Sequence, residues 1–139
     1  MVVTAAYYLA LLAALTYVIS FGDRTGRWGG LFLLITSVMS LVTVLTLRHQ
    51  GVVIPVLMAV DVLSLGWKLG LAYVSSRRWP IWVAGFQMNI VAAHLTVLVI
   101  PSWRTDLYYA MITVWAMPTL LVMVLGTALD SKKMTKQSP

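Results

Sequence analysis

The chain has 139 residues, of which 60% are apolar and only 10% charged, and its mean hydropathy is +0.90. A soluble domain carries about 25% charged residues, so the composition argues against a soluble globular domain and indicates a single integral membrane domain. The absence of cysteine excludes disulfides, thiolate catalysis and cysteine-ligated metals. The net charge of +6 is spread over loops and the C-terminal tail, as membrane topology requires, so we expect no nucleic-acid partner.

Five apolar runs predict an all-α fold, a polytopic membrane protein built as a bundle of five transmembrane helices. A helix of about 20 residues spans about 30 Å, the hydrocarbon thickness of a bilayer. The predicted spans cover residues 2–21, 28–47, 52–75, 80–100 and 107–129, and a polar tail occupies 130–139. The first run lacks the basic residues that open a signal peptide, so we interpret it as a retained span, with cleavage as the alternative.

Small residues follow two of the predicted helices at helical spacing. Ser37, Ser40 and Thr43 recur at steps of three in the second span, and Gly66 and Gly70 are four residues apart in the third. Such stripes permit close approach of helix backbones in membranes. We expect at least part of one stripe to form contacts between helices of one chain, and the pattern is compatible with a homodimer.

Polar residues within the third and fourth spans form the most informative pattern. Asp61 and Lys68 are seven residues apart, and so are Gln87 and His94, so each pair lies on one helix face. Equal steps outward from a turn at Arg77–Arg78 place Asp61 opposite His94 and Lys68 opposite Gln87. An unpaired charge at the centre of a bilayer costs about 2.5–3.5 kcal/mol on insertion scales. We therefore predict that the two helices pair these groups.

Two interpretations of this polar pattern remain open. In the first, the side chains line a cavity that binds or passes an ion or a small polar molecule, because ionisable residues inside a membrane commonly mark functional sites. The candidate binding residues are then Asp61, Lys68, Gln87, Asn89 and His94. In the second, the pairs neutralise each other, fix the register of the helical hairpin, and contact nothing else.

Catalytic and metal chemistry are weakly supported by the sequence. Asp61 is the only carboxylate residue within a predicted span, and His94 is the only histidine there. A Ser64–His94–Asp61 hydrolytic arrangement is the enzymatic alternative, although serine is common in membrane helices. A second His94 from a dimer is the remaining route to a haem. We predict no catalytic residue and no metal site, and we assign no cofactor.

Positive charges predict the orientation of the chain in the membrane. Seven Lys and Arg residues lie in the first loop, the third loop and the tail, whereas the opposite side carries only Arg48 and Arg104. Cytoplasmic loops carry the excess of positive charge. We therefore expect a protein of the bacterial inner (cytoplasmic) membrane with its N-terminus outside and its C-terminus in the cytoplasm.

These observations favour a small integral membrane protein that binds or transports an ion or small molecule through a polar site between the third and fourth helices. The alternative is a non-catalytic accessory or assembly subunit that packs against a larger membrane complex. A cavity that reaches the polar residues would favour the first function. Small residues turned outward to lipid, with the polar residues sealed from any cavity, would favour the second.

Overall fold

The computed structural model describes residues 2–47, 52–100 and 105–136 of the chain. These residues form five α-helices, which are α1 (Val2–Phe21), α2 (Arg24–Leu47), α3 (Val53–Val74), α4 (Trp79–Val99) and α5 (Thr105–Lys136). The predicted all-helical fold is confirmed. The predicted connection at 48–51, residues 101–104 of the predicted connection at 101–106, and the last three residues of the tail lie outside the described residues.

Four of the helices have the length and apolar character needed to cross a membrane. Within the described part of the chain, these are α2, α3, α4 and the segment Ala110–Asp130 of α5. The first helix contributes a shorter apolar stretch, Ala5–Phe21. The chain is therefore compatible with an integral membrane protein.

Two helix boundaries differ by four residues or more from the sequence-based prediction, and the others agree within two residues. Helix α2 begins at Arg24 rather than at Trp28, because the Asp23 carboxylate caps its first turn by accepting a hydrogen bond of 2.8 Å from the Gly26 amide. The predicted six-residue turn is thereby reduced to Gly22 and Asp23. Helix α5 continues past the predicted end at residue 129, since residues 130–136 include no glycine or proline to stop it.

The five helices pack in chain order around a ring. Each helix contacts the next one along the chain, and α5 returns to contact α1. Short connections make consecutive helices antiparallel neighbours, so α5 and α1, which close the ring, run parallel. A ring of this kind surrounds a central space that no single hairpin could enclose.

Apolar side chains fill the end of the ring near the α1–α2 and α3–α4 connections. Val18, Trp79 and Met123 are buried there in one cluster. The Trp79 ring lies between α2 and α5, against Gly29 on one side and Gly126 on the other. A β-carbon at Gly126 would lie 2.4 Å from the Trp79 ring, so only glycine permits this approach.

An ion-pair group, here called the Arg77 cluster (Asp23, Arg77 and Asp130), joins three parts of the chain at the same end. The Arg77 guanidinium lies 3.2 Å from Asp23 in the α1–α2 connection and 2.9 Å from Asp130 on α5. One side chain of the α3–α4 turn therefore holds both of the other segments.

Of the two small-residue stripes, only the one on α2 contacts another described helix. Ser37 is buried, and its hydroxyl lies 3.3 Å from that of Tyr7 on α1, so part of the α2 stripe forms a helix contact as predicted. Gly66 and Gly70 are exposed, and a β-carbon at either position would meet nothing within 4 Å. Among the described residues, no other helix contacts these two glycines, because α3 turns this face outward.

Candidate functional site

A central cavity of about 300 Å³ lies inside the ring and is lined by residues of all five helices. Much of its wall is apolar, with Leu and Ile side chains from several helices. Its polar lining residues are Tyr7, Tyr8, Thr36, Ser37, Ser40, Asp61, Ser64, Lys68, Gln87, His94, Thr113 and Thr119. The polar residues of the α3–α4 hairpin therefore face a cavity.

The predicted pairing across the α3–α4 hairpin is confirmed at both levels. His94 Nε2 lies 2.7 Å from Asp61 Oδ2, and Lys68 Nζ donates a hydrogen bond of 2.5 Å to Gln87 Oε1. These contacts follow from the antiparallel packing of two helices joined by a short turn, which keeps residues equally distant from the turn at the same depth. Lys68, Gln87 and His94 are all buried.

Gln87 also connects the two levels, which the sequence did not predict. Its Nε2 donates to Asp61 Oδ1 at 2.8 Å and to the Asp61 backbone oxygen at 3.2 Å. The amide therefore accepts from Lys68 at its own level and donates to Asp61, which lies about two helical turns from Lys68 along α3. As a result, the ammonium and the carboxylate belong to one network without direct contact.

Tyr108 extends this network to a third helix and is the main residue that the sequence reasoning missed. Its hydroxyl lies 2.8 Å from His94 Nδ1, and the side chain is 2% exposed. A tyrosine near the start of a membrane span is more often found at the membrane interface. Lys68, Gln87, Asp61, His94 and Tyr108 form a continuous chain of contacts, here called the polar network.

Asn89 does not belong to the polar network, contrary to expectation. It is exposed on α4, and its side chain donates a hydrogen bond of 3.3 Å to the Gly85 carbonyl of the same helix. Gln87 and Asn89 are two positions apart, which separates them by roughly 200° around an α-helix. When Gln87 faces the cavity, Asn89 must face outward.

The hydrogen-bond roles in the polar network follow from the chemistry of its groups. An ionised carboxylate only accepts hydrogen bonds, so with Asp61 ionised both Gln87 Nε2 and His94 Nε2 donate to it. A neutral imidazole has one donor and one acceptor nitrogen, so the Tyr108 hydroxyl then donates to His94 Nδ1. With Lys68 protonated and Asp61 ionised, the polar network has a formal charge of zero.

This arrangement does not assemble the hydrolytic triad considered above. Both ring nitrogens of His94 have partners, Asp61 and Tyr108, so Ser64 is not the group on the imidazole. Ser64 is buried and lines the cavity. Among the residues that the structure describes, no group of three or more histidine, cysteine or acidic side chains has the geometry of a metal site.

Comparison with known proteins adds no family to this description: no family model, no curated protein and no solved structure matches the chain.

Proposed function

We propose that this integral membrane protein binds a small molecule in the central cavity. The observation that carries the proposal is a cavity of about 300 Å³ in contact with a buried network of ionisable residues. Small-molecule sites in proteins occupy about 300–1,000 Å³ and combine a mainly apolar wall with a few placed polar groups. Both the size and the lining of the central cavity fit this description.

The cost of burying the polar network also supports a binding role. Charged residues inside a membrane are expensive, and a purely structural hairpin could use apolar side chains at the same positions. The network faces the cavity rather than being sealed between α3 and α4. Small-molecule binding therefore explains the position of these groups better than hairpin register alone.

Transport would add a requirement to binding, namely that each end of the cavity opens in turn. The end near Trp79 is filled by apolar side chains and joined by the Arg77 cluster. Movement of a ligand through that end would require these contacts to separate. Binding is thus the function that the described arrangement supports directly, and transport is the extension of it.

A second candidate function, an accessory subunit of a larger membrane complex or a homodimer, is favoured by one observation. Gly66 and Gly70 lie on an exposed face of α3 and have no neighbour there. Small residues on a lipid-facing helix surface permit close packing of another helix. This function does not account for the central cavity, so we place it second.

The proposal is tested by native mass spectrometry of the protein released from mild detergent. We expect the wild-type protein to retain a small molecule as an additional mass. Ala116→Phe fills the cavity that Ala116 lines, so it should abolish the additional mass. Ala110→Phe places the same side chain at an exposed position of the same helix and should leave the mass in place.

Two outcomes would contradict the proposed function. One is a wild-type protein without any retained species after gentle extraction. The other is a species retained equally by wild type and by folded Ala116→Phe, which would place its binding site outside the cavity.

A further inference from the structure

Lys68 has hydrogen-bond donors that the polar network does not use and that are available to a ligand in the central cavity. Lys68 is only 7% exposed, and its ammonium carries three donors. The described residues supply one acceptor to it, Gln87 Oε1. The remaining donors of Lys68 belong to a side chain that lines the cavity.

The acceptors of the network are already engaged by other members of it. Both carboxylate oxygens of Asp61 take hydrogen bonds, one from Gln87 and one from His94. The second ring nitrogen of His94 is in contact with Tyr108. Each Asp61 oxygen keeps a further lone pair, but both oxygens already have a partner, whereas two of the three Lys68 donors have none among the described residues. A ligand that accepts hydrogen bonds can therefore add to Lys68 without breaking any contact.

The charge of the polar network and the size of the cavity further restrict the class of ligand. With Lys68 protonated and Asp61 ionised, the network is electrically balanced, so a neutral ligand adds no uncompensated charge to the membrane interior. Most of the cavity wall is apolar, and Leu41 of α2 and Ile112 and Leu120 of α5 contribute to it beside hydroxyl side chains of the same helices. An apolar cavity of about 150 Å³ accommodates benzene, so one of about 300 Å³ has room for a substituted ring.

We propose that the cavity binds a neutral carbonyl compound, whose oxygen accepts a hydrogen bond from Lys68 and whose apolar body packs against α2 and α5. This inference rests on the proposed binding function and specifies its ligand class. It assigns Lys68 as the residue that recognises the carbonyl group. Asp61 acts indirectly, since it accepts a hydrogen bond from Gln87 and balances the charge of Lys68, and His94 in turn contacts Asp61.

The experiment compares three probes of similar shape by fluorine NMR on protein in lipid nanodiscs, with empty nanodiscs as the partition control. The probes are para-fluoroacetophenone, para-fluoroethylbenzene and para-fluorobenzoate. The first two differ mainly in the carbonyl oxygen, and the third carries a negative charge. We expect the ketone to bind about tenfold more tightly than the ethyl compound, the ratio for one hydrogen bond from a charged donor. The benzoate should bind more weakly than the ketone.

Lys68→Met tests the assignment of the recognising residue. This variant should reduce the preference for the ketone to about twofold or less, because the donor is lost while an apolar side chain remains. Leu69→Met introduces the same side chain at an exposed position of α3 and should keep the full preference. Circular dichroism and thermal unfolding test whether both variants are folded. If Lys68→Met does not fold, the preference of the wild-type protein for the ketone over the ethyl compound still decides the ligand class.

The outcomes separate this inference from the proposed function. Equal binding of the ketone and the ethyl compound, or tighter binding of the benzoate, overturns the carbonyl assignment while leaving the cavity as a binding site. Failure of all three probes to bind, together with no species retained in native mass spectrometry, overturns both. A preference for the ketone that survives in folded Lys68→Met removes Lys68 from the site.

Discussion

Asp61 is the residue on which the polar network depends, because it joins the Gln87 amide to the His94 imidazole. One carboxylate oxygen accepts from each of them, at 2.8 Å and 2.7 Å. In a low-dielectric interior, an unpaired polar group costs more than the pair gains by forming. The stability contributed by Asp61 is therefore conditional on its partners.

This dependence predicts a particular pattern in a double-mutant cycle. Asp61→Ala leaves His94 Nε2 without its partner, and His94→Ala leaves the Asp61 carboxylate with one partner fewer. Loss of one member of a buried charged pair costs roughly 3–5 kcal/mol, more than loss of both. If the pair is only structural, each single variant should unfold at a lower temperature in detergent than the double variant.

A binding role gives a different result in the same cycle. Both single variants and the double variant should then lose the species retained in native mass spectrometry, even where the fold survives. Strictly additive losses of stability, with no coupling between Asp61 and His94, would contradict the contact itself.

At the scale of helices, the contact of Trp79 with Gly126 fixes how closely α4 approaches α5. Gly126→Ala should lower the stability by about 1–3 kcal/mol, because its β-carbon would fall within 2.4 Å of the indole. Gly70→Ala is the matched control: its β-carbon meets nothing within 4 Å, and the gain in helix propensity should raise the stability by about 0.5–1 kcal/mol. Thermal unfolding in detergent measures both.

Changes of the same sign in the two glycine variants would contradict this account of helix packing. A fall in stability with Gly70→Ala, accompanied by a change in oligomer size, would instead show that the outward face of α3 contacts a second chain.

The register of the α3–α4 hairpin could be predicted from the sequence, whereas the register between α4 and α5 was overlooked. The turn at Arg77–Arg78 gave a fixed point for counting, and the pairs at Asp61 and Lys68 were found at the expected levels. Equal steps outward from Pro101 would likewise have placed His94 opposite Tyr108. That relation went unnoticed because a tyrosine at the start of a span is typical of the membrane interface.

Helical periodicity shows which residues share a helix face, but it does not show what that face contacts. The spacing of Gly66 and Gly70 indicates a surface able to pack closely, but it does not say whether that surface faces another helix or lipid. The position of Asn89 on α4 was determinable, since its angular separation from Gln87 follows from the helix repeat. The central cavity was beyond sequence reasoning, because it depends on the closing contact between α5 and α1.

We expect the ion pairs of the Arg77 cluster to hold together the ends of the helices that they join. Arg77→Ala removes both ion pairs and leaves Asp23 and Asp130 facing each other, so we expect a loss of stability of about 1–2 kcal/mol. Arg78→Ala removes the neighbouring, exposed arginine and should change the stability by about 0.5 kcal/mol or less. Equal effects of the two variants in thermal unfolding would show that the cluster does not hold these segments.

For the whole molecule, the ring of helices and the charge distribution together determine which way the cavity faces. Tyr7 at the start of α1 and Val44 near the end of α2 both line the cavity, whereas the opposite end is filled around Trp79. The positive-inside rule assigns the filled end, with Arg24 and Arg77 close by, to the cytoplasm. We therefore expect the cavity to lie in the outer half of the membrane and to receive its ligand from that side.

Cysteine labelling tests this topology directly, because the chain has no cysteine of its own. Gln50→Cys lies in the α2–α3 connection, on the side with fewer positive charges, and should react with a membrane-impermeant maleimide on intact cells. Gln137→Cys lies in the basic tail and should react only after the membrane is permeabilised. Val114→Cys, on an exposed part of α5 within the apolar segment, should resist the reagent in both cases. Labelling of residues 50 and 137 from the same side would contradict the five-span topology, and the reverse pattern would invert the orientation and place the cavity in the cytoplasmic half.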